Sequence, residues 1–158
     1  MMTKNFKNIF LSLGGIGFSK YAPGTLGSAV AAVFLFFLKY GIHNIYLRIS
    51  LASVVFILIY IISIGYIREF KLNGKFDHSW IVTDEFLGMM IAGAPFLILD
   101  SAASGHLFWG FLLFRIFDIF KFWPVSSLDK INTPQFVILD DILAGFFALA
   151  IIILIRIT

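Results

Sequence analysis

The chain has no cysteine, four prolines and little charge, with only 13% of its 158 residues being Asp, Glu, Lys or Arg. The missing cysteine excludes a disulfide framework, a thiolate metal site and a cysteine nucleophile. The shortage of charge excludes disorder and an ordinary soluble domain, which carries about 25% charged residues. What remains is apolar: 60% hydrophobic side chains, 18% aromatic, 20 of them Phe. That composition leaves too little polar surface to cover a water-facing sphere. The expected class is one small membrane-embedded domain over residues 1–158, without internal repeats or linkers.

Twelve Lys and Arg against nine Asp and Glu give +3, with a pI near 9.3. The basic residues are scattered and not gathered in a stripe, so nucleic acid is excluded as a partner and a lipid head group is expected. Five apolar stretches cover 26–38, 49–67, 86–99, 106–117 and 142–155. A crossing helix takes about 20 residues, so only 49–67 spans comfortably; the others must borrow flanks, tilt, or pair as re-entrant halves. The expectation is all-α: a small multi-helix integral membrane bundle of four or five short or re-entrant hydrophobic helices. Lys4 and Lys7 ahead of 9–18 resemble a signal, but no Ala-x-Ala site follows and Gly14, Gly15 and Gly17 interrupt the run. A short amphipathic or interfacial segment fits better.

With five crossings and a cytoplasmic N-terminus, the inside holds Lys4, Lys7, Lys20, Arg68, Lys71, Lys75, Arg115, Lys121 and Lys130, and the outside only Lys39, Arg48 and Arg156. That split obeys the positive-inside rule. The same assignment brings four distant polar clusters, 23–28, 77–85, 115–121 and 140–141, to the cytoplasmic face.

Each cluster has chemistry available. Asp84 and Glu85 stand at a helix start, where acids also complement the helix dipole. Arg115, Asp118 and Lys121 share one broad helical face among phenylalanines and isoleucines; charges at membrane depth pair, line a polar cavity or serve function. Asp140 and Asp141 are expected to stand directly before the last apolar helix, and neighbouring carboxylates repel unless a cation or proton lies between them. In PGTLGS, Pro23 and Gly24 favour a turn, and Thr25 is expected to cap a helix whose free N–H groups can hold a phosphate. Acids at three places with Arg and Lys nearby suit a magnesium-assisted phosphoryl reaction. His43, His78 and His106 are isolated, without zinc-ligand spacing.

Together, PGTLGS at 23–28, DHSWIVTDEFLG at 77–88, FRIFDIFKFWP at 114–124 and ILDDILAG at 138–145 resemble the phosphatidylglycerophosphatase A family over nearly the whole chain. Two departures are His78 and Phe122, where the family's usual pattern has proline; neither removes a charge, and losing a proline after Lys121 lets that helix continue. The resemblance implies a multi-pass enzyme of the bacterial inner membrane, facing the cytoplasm, that uses Mg²⁺ to hydrolyse the terminal phosphomonoester of phosphatidylglycerophosphate in phospholipid biosynthesis. On that basis Asp84, Glu85, Asp118 and Asp141 hold metal and carry catalysis, and Asp77 and Asp140 are further ligands. Arg115 and Lys121 grip the phosphoryl oxygens beside Gly24, Thr25 and Ser28. The alternative is a non-enzymatic small helical membrane protein, an ion-conducting or transporter subunit, which predicts polar groups at mid-depth in both halves of the chain.

Overall fold

A computed structural model describes residues 2–70, 76, 78–99, 104–120 and 133–157. The described residues are helical, without strands. In order they form α1 (Met2–Leu11), a 3₁₀ turn (Ile16–Phe18), α2 (Pro23–Gly41), α3 (Ile45–Ile67), α4 (Thr83–Ala92), α5 (Ala94–Ile98), α6 (Ser104–Phe120) and α7 (Pro134–Ile157). Helices are the expected outcome for an apolar chain in lipid, because each satisfies its backbone within one segment. Three are long and apolar enough to cross a membrane: α2, α3 and the 22 residues Pro134–Ile155 of α7. The all-helical expectation holds.

The helices alternate in direction. Lys39, near the end of α2, donates from Nζ to the carbonyls of Phe96 and Leu99, both at 2.8 Å. The start of α2 lies against the start of α4, where Gly24 faces Glu85. α2 and α4–α5 therefore run the same way over the same distance. The stretch 86–99 is a traverse in two pieces and does not turn back on itself. Its break at Gly93 precedes Pro95, which has no N–H to continue the ladder, and Lys39 takes up the carbonyls left at the end of α5. α7 runs parallel to α4, while α3 and α6 run the opposite way.

Close packing between α4, α6 and α7 rests on small residues. A Cβ at Gly145 would overlap the Gly88 carbonyl, and one at Gly88 would meet the Asp141 carbonyl and the Phe114 ring. With lipid as solvent there is little hydrophobic drive between helices, so such small-residue contacts supply the association. Phe114, Met89, Ala144 and Ala148 fill this core without exposure. A second cluster of Leu11, Ile67, Ile81, Leu87 and Ile138 ties α1 and the end of α3 to the same end of the bundle. There Lys7 pairs with Glu69 and lies over the Tyr66 ring.

Two local expectations need correcting. Thr25 is not the cap of α2: the helix starts at Pro23, whose fixed φ suits the first helical position, and the preceding Ala22 is left-handed at φ 43 with no side-chain cap. Asp140 and Asp141 do not precede a helix. α7 begins at Pro134, for the same reason, and carries both acids about two turns inward.

Candidate metal and phosphate site

Residues of all four polar clusters meet through α2, α4, α6 and α7 at one end of the bundle. Asp84 and Glu85 occupy the first turn of α4. Asp141, the eighth residue of α7, reaches them from about 10 Å inside that helix at 1.5 Å per residue. One carboxylate oxygen from each of Asp84, Glu85 and Asp141 lies within 4.8 Å of the others. Asp84 is 6% and Asp141 5% exposed. Asp140, also buried, adds its charge to the same group, and Asp118 lies within hydrogen-bonding reach of Asp141.

This is an expensive arrangement for bare carboxylates. Burial, and then the neighbouring Glu85 charge, holds the Asp84 carboxyl well above the usual carboxylate range. Burial also raises Glu85, against the opposing hydrogen bond from Asp84. Glu85 Oε2 is buried with no hydrogen-bond donor among the described residues. A cation answers all of these costs together. The donors are oxygen only, from a chain without cysteine and with no histidine in the cluster, which is the donor set of a hard divalent ion. The residues therefore fit a metal.

Arg115 borders the acids on the α6 side. It forms a 2.6 Å ion pair with Asp118, one turn along the helix, and its Nη1 donates to Ser28 Oγ at 3.3 Å. Ser28 Oγ donates in turn to the Gly24 carbonyl at 2.8 Å. Arg115 Nε is buried without an acceptor among the described residues, so a donor remains for an anion. Gly24 lies directly under the acids and the arginine: a Cβ there would overlap Glu85 Oε1 and lie 3.3 Å from Arg115 Nη2. Thr25 follows, half-buried in the first turn of α2.

Of the sequence-expected residues, the structure thus assembles Gly24, Thr25, Ser28, Asp84, Glu85, Arg115, Asp118, Asp140 and Asp141. Asp77 and Lys121 lie outside the described residues. Thr83 was not expected. Its hydroxyl is fully buried beside Asp84 with no partner among the described residues, and its place in the string IVTDEFLG was the only signal for it. His78 sits apart, its Nε2 2.8 Å from the Phe70 carbonyl. Residues 86–98 of α4 and α5 carry no charge, contrary to the mid-depth polar groups that a conducting path along those helices requires.

A family model described as phosphatidylglycerophosphatase A matches residues 9–156. A protein of Escherichia coli K12 named phosphatidylglycerophosphatase A is 32% identical over 145 residues, covering 87% of this chain and 76% of its own length. A protein of Bacteroides thetaiotaomicron, provisionally named a phosphatidylinositol-3-phosphatase, is 29% identical over 99% of this chain and 98% of its own. A Haemophilus influenzae phosphatidylglycerophosphatase A is 34% identical over 52% of this chain and 50% of its own. No solved structure matches the chain significantly. With the family match running through every motif that builds the acidic cluster and its arginine, this membrane chain belongs to the phosphatidylglycerophosphatase A family and is a phosphatase.

Proposed function

We propose that the chain hydrolyses the terminal phosphomonoester of phosphatidylglycerophosphate to phosphatidylglycerol and inorganic phosphate, with Mg²⁺, as a step of phospholipid biosynthesis at the cytoplasmic face of a bacterial inner membrane. The observation that carries this reading is the convergence of Asp84, Glu85 and Asp141 within 4.8 Å, beside an arginine with a spare buried donor. Asp84, Glu85 and Asp141 would hold the metal, which when bound supplies Lewis-acid polarisation of the phosphoryl group. Asp118 fixes Arg115 by their ion pair and adjoins Asp141. Arg115 binds phosphoryl oxygens and offsets the charge that grows on them in the transition state. Ser28 and the Gly24 carbonyl set the guanidinium's direction. Asp140, with Asp77, serves as a further ligand or supports the ligands, and Lys121 adds a second cation to the phosphate. The cytoplasmic assignment is supported by Lys7 of α1, Lys20 and Arg68 lying at the site end, with Lys39 and Arg48 at the other.

The test is phosphate release from phosphatidylglycerophosphate by detergent-purified protein, with Mg²⁺ or with a chelator, and with phosphatidylinositol 3-phosphate as a second substrate because of the Bacteroides relative. Mg²⁺-dependent release, faster on phosphatidylglycerophosphate and abolished in Asp84→Asn and Asp141→Asn that still insert in the membrane, supports the reading. Equal rates with a chelator would overturn the metal; faster release from phosphatidylinositol 3-phosphate would overturn the substrate.

A further inference from the structure

Two apolar grooves flank α2, and they share a wall. The first, of about 340 Å³, lies between α2 and α6 and is lined by Ala29, Ala32, Val33, Leu107, Phe108 and Phe111. The second, of about 520 Å³, lies between α2 and the 3₁₀ turn, with Ile16, Phe18, Leu26 and Val30 facing the same Ala29 and Val33. Their rims are open, since Phe18, Leu26, Val33 and Phe108 are all exposed. We propose that these grooves seat the two acyl chains of the lipid whose phosphate the site holds, one chain in each, with the Ala29 and Val33 ridge between them. The inference rests on the lipid-phosphatase reading above.

Three observations carry it. The lining of each groove comes within one helical turn of the site, at Ala32 and Phe111 in the first and at Leu26 and Ala29 in the second. The shared ridge runs in four-residue steps, Val33, Ala29, Thr25, so its upper end is the half-buried Thr25 next to Gly24. Ala32 lies one turn below Ser28 and Phe111 one turn below Arg115, so the Ser28 to Arg115 hydrogen bond closes the top of the first groove. The length also fits. Gly24 to Val33 is nine residues, about 13 Å at 1.5 Å each, close to half of a hydrocarbon core about 30 Å thick, which is the depth one leaflet's chains occupy. Finally, the charge changes at the right place: Arg115 sits at the closed end and every lining residue of the α6-side groove is apolar. A third apolar groove, with Leu35, Ala52, Ser53, Phe56 and Leu97 in its lining, lies between α3 and α4–α5 with no lining residue within one helical turn of a site residue, and it supplies an internal comparison.

The test compares the kcat/KM ratio for dioleoyl over dihexanoyl phosphatidylglycerophosphate in full-length protein. Ala29→Phe, which fills the shared wall, should lower that ratio about tenfold, and Ala32→Phe, which fills one groove, by less. Ser53→Phe, in the third groove, should leave it at the wild-type value. An unchanged ratio in Ala29→Phe that still turns over, or an equal fall in Ser53→Phe, would overturn the proposal. A second readout needs no turnover: dioleoyl phosphatidylglycerophosphate with a photoreactive diazirine in its acyl chain should label residues 26–33 and 107–111 of the wild-type protein. Labelling confined to α3 would overturn the proposal even where hydrolysis succeeds, and labelling of the grooves with no hydrolysis would keep it while overturning the assigned activity. If Ala29→Phe instead converts a dimer to a monomer in light scattering, the face joins two copies of the chain and the acyl assignment fails.

Discussion

Adding one methyl group at Gly24 should stop catalysis without unfolding the protein. The new Cβ would overlap Glu85 Oε1 and press on Arg115 Nη2 at 3.3 Å. Both neighbours are the free ends of long side chains, so α2 need not shift; the Glu85 carboxylate swings aside by roughly 1 Å, and a misplacement of that size costs about 10²-fold in rate. At 1.36 kcal/mol per tenfold, this is about 2.7 kcal/mol of transition-state stabilisation. The same methyl at Gly88 meets the Asp141 carbonyl and the Phe114 ring, which are fixed by helix packing, and overpacking of that kind costs about 1–3 kcal/mol of stability. Phosphate release measured against Mg²⁺ concentration, beside thermal melting in the same detergent, separates the two variants. Gly24→Ala should lose about a hundredfold in kcat and need more Mg²⁺ for half-saturation while melting within about 2 °C of wild type. Gly88→Ala should melt several degrees lower. Wild-type turnover in Gly24→Ala, or melting as low as that of Gly88→Ala, would refute the placement of Gly24 against the site.

The buried acids predict a stability slope with a definite sign. Asp84 and Glu85 have raised carboxyl pKa values in the folded chain, so above the ordinary carboxylate range the folded state holds more protons than the unfolded state. Stability in a chelator therefore falls as pH rises above the ordinary carboxylate range, and saturating Mg²⁺ should flatten or reverse the trend; melting that rises with pH in the chelator would contradict it. At the opposite end, Lys39→Met removes the donor to the Phe96 and Leu99 carbonyls and should cost about 1–3 kcal/mol of stability at unchanged KM. A lost activity with unchanged melting would show that Lys39 acts in another way.

Much of this arrangement was legible in the sequence because it follows from direction alone. Once the apolar stretches are threaded back and forth, PGTLGS, TDEFLG, FRIFD and ILDDILAG must fall at one end, and the packing of Gly24, Glu85, Arg115 and Asp141 agrees. The starts of α2 and α7 were not legible. Sequence cues favoured Thr25 as a cap and Asp140 as a preface, whereas Pro23 and Pro134 open their helices earlier, which buries Asp141 about two turns deeper than a helix start would. Contacts made across the fold were invisible too: no local pattern says that the Lys39 ammonium caps α5, that Ser28 receives Arg115, or that Thr83 is buried beside the acids. Gly24 stood out as a turn residue, but its role is steric and depends on a side chain 61 positions away.

The alternation of α2, α3, α4–α5, α6 and α7 has an electrostatic outcome. An odd number of antiparallel passes cannot cancel its helix dipoles. Among the five described passes, three N-terminal ends, those of α2, α4 and α7, point toward the acidic site against the C-terminal ends of α3 and α6, while the last carbonyl of α1 there is taken up by the Val82 N–H. The described passes thus offer one more helix N-terminus than C-terminus to the end that gathers carboxylates, and one more C-terminus to the opposite end, where Lys39 and Arg48 are buried. The backbone thereby offsets part of the charge that the gathered carboxylates bring to one end, and the two ends of these passes are electrically unequal by topology alone.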